Sequence, residues 1–170
     1  SLKNIFDQSK SSSEVNQYTN LDLLSGLMIE AAQIDGEIHE KEYEKALEVV
    51  NESLSISRSI RDKHGERKYL NSIGLVKEQT GDYDGALEIY LKCLKLSKNI
   101  NEKRSIAVSY NNIGCVYECL KEWELANKNF KKALTYSKRI NYKEGIAAFQ
   151  FNIAFVYGML KEYKKALKLL

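Results

Sequence analysis

The feature that most constrains this chain is a gapless self-similarity with a period of 40 residues: residues 65–104 align with 105–144 and with 145–170 without an insertion. Leu70-Asn71-Ser72-Ile73-Gly74-Leu75-Val76 recurs as Tyr110-Asn111-Asn112-Ile113-Gly114-Cys115-Val116 and as Gln150-Phe151-Asn152-Ile153-Ala154-Phe155-Val156. Downstream, Asp82-Tyr83-Asp84-Gly85-Ala86-Leu87 recurs as Glu122-Trp123-Glu124-Leu125-Ala126-Asn127 and as Glu162-Tyr163-Lys164-Lys165-Ala166-Leu167. A fixed period of this size marks a chain built from one supersecondary unit used repeatedly, each unit burying its apolar surface against the next.

Each unit predicts two amphipathic helices. Leu70, Ile73, Gly74 and Lys77 follow three-and-four spacing, as do Tyr110, Ile113, Gly114 and Tyr117 one period later. A short polar turn such as Thr80-Gly81-Asp82 precedes a second stripe of Tyr83, Ala86, Leu87, Tyr90, Cys93, Leu94 and Ser97. Gly74, Gly114, Ala86, Ala126 and Ala166 are small so that the paired helices can approach, and Tyr83, Trp123 and Tyr163 are expected to fill the space at the turn. Forty residues upstream, Tyr43, Ala46, Leu47, Leu54, Ser57 and Ile60 repeat the second stripe, although the first helix of that unit is degenerate. The expected organisation is a leader over 1–20, a degenerate helical repeat over 21–64, full repeats over 65–104 and 105–144, and a truncated or continuing one over 145–170.

Composition agrees with helices joined by short turns, because the chain has no proline and only nine glycines. No apolar run approaches the roughly 18–20 residues that cross a bilayer, and the N-terminus lacks a signal-peptide core. A cytoplasmic protein is expected. Three cysteines, Cys93, Cys115 and Cys119, predict reduced thiols packed as small apolar groups. Zinc is not expected, since the only histidines, His39 and His64, are remote in sequence. Ile34-Asp35-Gly36-Glu37-Ile38 faintly resembles the acidic segment of tellurite-resistance-type helical domains, but it lacks the ligand pattern of an EF-hand and reads as a connection between helices.

Neither a phosphate-binding Gly-x-x-x-x-Gly-Lys-Ser/Thr loop nor a Gly-x-Ser-x-Gly nucleophile turn is present. With two histidines, neither near a candidate nucleophile in the repeats, general-base chemistry lacks its commonest agent. No enzyme activity and no cofactor are expected. The net charge of +3 is uneven, at −5 over residues 1–64, +1 over 65–120 and +7 over 121–170. A basic C-terminal third can attract an acidic partner or nucleic acid, although a solvated helix face is the plainer reading.

The run Tyr110, Ile113-Gly114, Tyr117, Ala126, Phe130 and Ala133 resembles the tetratricopeptide-repeat signature. The usual repeat of this family has 34 residues and a closing proline; the 40-residue, proline-free unit is similar to repeats of kinesin light chains, Pins-type polarity adaptors, bacterial Rap-type regulators and sensor kinases. The resemblance implies an all-α, right-handed superhelical solenoid of antiparallel helix pairs whose first helices line a concave binding face. It places Asn71, Ser72, Leu75, Glu78 and Gln79 on that face, then Asn111, Asn112, Cys115, Glu118 and Cys119, then Phe151, Asn152, Phe155, Gly158 and Met159. In such repeats asparagines at the Asn112 and Asn152 position hold the backbone of an extended peptide, since a carboxamide both donates and accepts. Ser72 interrupts that ladder in the first unit. Phe151, Phe155 and Met159, four apart, make an apolar ridge that would anchor a partner's side chains, while Lys68 and Arg104 could meet an acidic group or a terminal carboxylate.

The expected function is a non-catalytic scaffold that binds a peptide or helix of a protein partner. A peptide-sensing segment of a larger signalling protein is the alternative, and nucleic-acid binding through the basic third ranks last. Leu169-Leu170 falls in the middle of an expected second helix, which predicts either a fragment of a longer array, the preferred reading, or self-association through that end.

Overall fold

The computed structural model describes residues 40–169, all of whose regular structure is helical. The leader, the degenerate first helix of the N-terminal repeat and the Asp35-Gly36 segment lie outside the described residues. Seven helices follow one another: α1 Glu40–Ser59, α2 Lys63–Gln79, α3 Tyr83–Asn99, α4 Lys103–Cys119, α5 Trp123–Arg139, α6 Lys143–Met159 and α7 Tyr163–Ala166. Helices α2 to α6 have 17 residues each, and the three-residue links after α3, α4 and α5 turn each following helix back on its predecessor.

The turns obey a finer period than the repeat. Arg61, Gly81, Asn101, Lys121, Asn141 and Lys161 all have positive φ, between 53° and 80°, and they stand 20 residues apart. Helices α1 to α6 therefore all end in the same left-handed stop. In each turn the amide after the left-handed residue donates to the carbonyl five residues back, as in Asp82 to Lys77 at 2.8 Å, Glu122 to Tyr117 at 2.8 Å and Glu162 to Tyr157 at 2.8 Å. This is the Schellman arrangement, which satisfies carbonyls that a helix end otherwise leaves open. Only Gly81 is the residue type expected there; Asn tolerates the left-handed region, while Arg61, Lys121 and Lys161 are held in it by the turn. After two of the turns an aspartate caps the next helix: Asp62 Oδ1 accepts from the amides of His64 and Gly65, and Asp82 Oδ1 accepts from Gly85.

The chain forms two compact units, Ser1–Val76 and Lys77–Leu170. In the first, Tyr43 and Ala46 of α1 pack with Val76 of α2, flanked by Leu47 and Leu75. In the second, one core is continuous from α3 to α6. Tyr90 of α3 and Phe130 of α5 are wholly buried, together with Val116 of α4 and Val156 of α6. Helix α4 packs against α3, α5 and α6 at once, so its apolar arc is wider than the single stripe of Tyr110, Ile113, Gly114 and Tyr117. Ala107 and Val116 are the fully buried residues there and Tyr117 lies at the margin.

The small-residue expectation is met where the helices are closest. A Cβ on Gly114 would stand 2.5 Å from a ring carbon of Phe130, so the ring of α5 seats directly on the backbone of α4. At the last turn the expectation and the structure differ. Tyr163 is 61% exposed and fills no gap, because α7 is one turn long. The thiols differ as well: Cys93 is buried, Cys115 is half-buried and Cys119 is exposed, so Cys119 is not a packing residue.

Candidate functional site

The first helices of successive pairs, α4 and α6, touch directly, and this contact gathers part of the expected binding face. Asn152 of α6 donates through Nδ2 to Oδ1 of Asn111 on α4 at 2.9 Å. Asn111 Nδ2 in turn points at Oδ1 of Asn112, 3.5 Å away, and at Sγ of Cys115, 3.7 Å away. All four residues are half-buried. The residue joined to Asn152 is thus Asn111, one position before its repeat equivalent Asn112, because position 111 is the one that α4 turns toward α6.

One period after Asn111, Cys115 and Cys119 stand Phe151, Phe155 and Met159. These three are 64%, 43% and 47% exposed, an apolar stripe along α6 next to the amide pair. The remaining expected residues lie apart. Arg104, in the first turn of α4, places its guanidinium 4.3 Å from the Tyr142 ring centroid, and the hydrogen bond with Tyr142 raises its already high pKa. Lys68 and Asn71 belong to the other unit, on α2; Lys68 is exposed with its ammonium 6.0 Å over the Tyr69 ring, and Asn71 is half-buried.

The electrostatics of this face were not readable from spacing. Glu78, at the end of α2, accepts a hydrogen bond from the Tyr90 hydroxyl at 2.8 Å. Burial raises its pKa above the ordinary glutamate value, and the Tyr90 bond offsets only part of that. Glu118, its equivalent one period on, is raised by burial and by the charge of Glu78. Burial, with Glu78 and Glu118 nearby, pushes the Cys115 thiol up to about 12; the Cys119 thiol is raised by burial and by Glu78. Both cysteines therefore remain protonated at neutral pH, and a protonated thiol is a poor nucleophile. Among the described residues no group of three or more His, Cys, Asp or Glu stands close enough to hold a metal ion. What the face offers is amides, a phenol, two reluctantly ionised carboxyls and exposed apolar groups, which suits hydrogen bonding and packing.

The Glu78 carboxyl makes a pH prediction. A folded-state carboxyl raised above its unfolded value binds its proton more tightly in the folded chain, so it favours folding at low pH and costs stability as pH rises through the raised value. Glu78→Gln keeps an acceptor for Tyr90 and removes the titration. The variant should match wild type below about pH 4.5, the ordinary glutamate value, and gain on it as pH rises through the raised value, with a constant lead above it, in urea melts followed by circular dichroism. A Glu78→Gln stability that falls behind wild type as pH rises would show that the carboxylate is stabilised in place. Glu66 acts in the opposite sense: its bonds to Lys63 at 2.7 Å and Arg58 at 3.1 Å lower its pKa, and that contribution is lost on acidification.

Comparison with known proteins places the architecture. The tetratricopeptide-repeat family model matches residues 35–99 and 65–139, more than half of the chain. No curated protein matches the sequence significantly. Among solved structures, the apo form of RapI superposes with a TM-score of 0.80 at 22% identity over 96% of this chain and 56% of that one. A Rap protein complexed with competence and sporulation factor superposes with a TM-score of 0.70 at 16% identity, over 98% of this chain and 56% of that one. The nearly identical TPR-like repeats attributed to a kinesin light chain of Podosopora anserina give a TM-score of 0.70 at 14% identity, over 89% of this chain and 72% of that one. At these identities the likeness is one of fold, and the chain spans a little over half the length of the Rap proteins. No helix among the described residues is long and apolar enough to cross a membrane. The 40-residue period, the stacked helix pairs and the family match agree: this chain belongs to the tetratricopeptide-repeat family.

Proposed function

We propose that the chain is a non-catalytic protein-interaction module that binds a peptide or helix of a partner on the face formed by α4 and α6. The observation that carries this reading is the Asn111–Asn152 amide pair beside the exposed Phe151, Phe155 and Met159. Amides recognise peptide backbone in any sequence, because each can donate to a carbonyl and accept from an amide. Large apolar side chains add affinity where a partner's own apolar groups cover them. Asn112, Cys115 and Glu118 lie on the same helix within reach of the same ligand, and Arg104 in the first turn of α4 would help orient it.

Selection of random twelve-residue peptides displayed on phage tests the reading directly. Wild type should enrich a family of related peptides, and Phe151→Ala/Phe155→Ala should bind them at least about 100-fold more weakly, the loss of two hot-spot contacts. Asn111→Ala/Asn152→Ala should weaken binding of peptides that differ in side chains by similar factors, since the amides read backbone. Peptides held equally by wild type and both variants would move the binding surface elsewhere.

The second reading is that the chain forms the sensing part of a larger regulator. It is favoured by the superposition on a Rap protein complexed with competence and sporulation factor, of which this chain covers only 56%. A regulator would show a ligand-dependent change in a neighbouring output segment of the full polypeptide. A scaffold would bind its ligand with no such change.

A further inference from the structure

A second surface, away from the amide pair, is built from lysines and tyrosines of α3, α4 and α5. Lys98 of α3 and Lys132 of α5 both place their ammonium groups over the ring of Tyr110, at 5.4 and 5.0 Å from its centroid. Tyr110 stacks on Tyr136 at 5.9 Å with the planes 29° apart, and Arg139 lies 5.8 Å over that second ring. Three cations thus converge on one pair of stacked rings. Neither Lys98 nor Lys132 nor Arg139 makes an ion pair among the described residues, whereas the neighbouring Lys92 is neutralised by Glu88 at 2.6 Å.

The strip continues across α5. Lys131, next to Lys132, reaches the opposite way and stands 5.2 Å over Tyr157 of α6, with Lys165 of α7 at 5.6 Å over the same ring. Here the balance is partly restored, since Lys165 pairs with Glu162 at 2.8 Å. The uncompensated charge is therefore concentrated at the Tyr110–Tyr136 stack. Ammonium groups brought together repel one another, and the rings offset that repulsion only in part. A surface of this kind is completed by carboxylates from outside.

We infer that the Lys98–Lys132–Arg139 cluster is a docking surface for an acidic segment of a partner protein, separate from the inner-helix face. Single-stranded nucleic acid is the less suitable occupant, because its affinity for such sites comes largely from bases stacking on open aromatic faces. Tyr110 is 9% exposed, and the ammonium groups already sit over its ring. A carboxylate needs no ring face. It can pair with either ammonium group and leave the cation–π contacts in place.

The test uses the full chain and a fluorescein-labelled peptide of repeated Glu-Glu-Ser, followed by anisotropy at about 50 mM salt, where surface charges are only weakly screened. Wild type should bind the peptide, and binding should fall as salt rises. Lys98→Gln/Lys132→Gln should weaken it about tenfold or more, while Lys121→Gln/Lys161→Gln, with the same loss of charge in turns at the other ends of the helices, should change it by less than about twofold. Equal losses in both pairs would reduce the effect to net charge and overturn the proposal. So would tighter binding of an equally charged DNA, lost in the same Lys98/Lys132 variant, which would make the surface one for nucleic acid. Sedimentation that shows wild type self-associating through this cluster would overturn it in favour of a second copy. Melting curves for both double variants establish that each is folded, and failure of folded wild type to bind the peptide at all would end the proposal.

Discussion

Phe130→Ala should lower the unfolding free energy of the chain by about 4 kcal/mol, the usual cost of deleting a fully buried ring from a core that cannot collapse around the space. Phe130 is 0% exposed and sits at the centre of the core that runs from α3 to α6, with Ala86, Val116 and Ala126 also wholly buried there. Neighbours this small cannot swing into the vacated volume, which is why the cost belongs in the upper part of the range for large-to-small changes. Since whole domains are stable by only about 5–15 kcal/mol, the loss removes from about a quarter to most of the margin and should move the urea midpoint well down. Urea titration followed by helical circular dichroism reads this directly. Phe151→Ala is the matched control: it deletes the same side chain from a position 64% exposed, and its effect should stay within about 0.5 kcal/mol. If Phe130→Ala melted like Phe151→Ala, the core assignment would be wrong.

The contrast between these two phenylalanines also shows what the sequence could disclose. The 40-residue period located the helix pairs because burial repeats with the unit: Ala86 and Ala126, and Tyr90 and Phe130, occupy the same positions and are all wholly buried. The second helices α3 and α5 end one period apart, at Asn99 and Arg139. The left-handed stops were legible only at Gly81. Arg61, Lys121 and Lys161 carry no such signature, and their conformation comes from the turn's hydrogen bonds. Val116 was hidden for a related reason. A stripe reading assumes one packed face, while α4 is packed by three helices.

The geometry of the proposed binding face could be read from the sequence in outline and not in detail. Phe151, Phe155 and Met159 could be recognised as one ridge because they stand four apart on a helix, and they are exposed. Which asparagine would meet Asn152 depends on the rotation of α4 about its own axis, which spacing does not specify; the contact falls to Asn111. The Tyr90–Glu78 bond joins residues on different helices, and no local pattern announces it. Cys119 was expected to pack because cysteine usually does, yet it stands near a helix end where the core has already thinned.

Gly114 leads to the second large effect. Glycine inside a helix ordinarily costs about 1 kcal/mol relative to alanine, so on propensity alone Gly114→Ala should stabilise α4. The structure predicts the reverse. The added Cβ would meet Phe130 at 2.5 and 2.6 Å, and the ring cannot retreat because it is buried on every side. Overpacking of this kind costs about 1–3 kcal/mol, so Gly114→Ala should be destabilising by up to about 2 kcal/mol net of the propensity gain, and Gly114→Val, bulkier and β-branched, by about 3 kcal/mol or more. A second substitution separates steric conflict from any general intolerance of α4. Phe130→Leu creates room where the Cβ needs it, so Gly114→Ala should be harmless or favourable in the Phe130→Leu background, with a coupling of about 1–2 kcal/mol between the two sites. Additive losses would mean that the glycine serves something other than the approach of α5. Recovery would show that glycine and phenylalanine at these two positions act as one packing unit, and would explain why Gly114 in α4 is matched in α5 by a ring large enough to use the space.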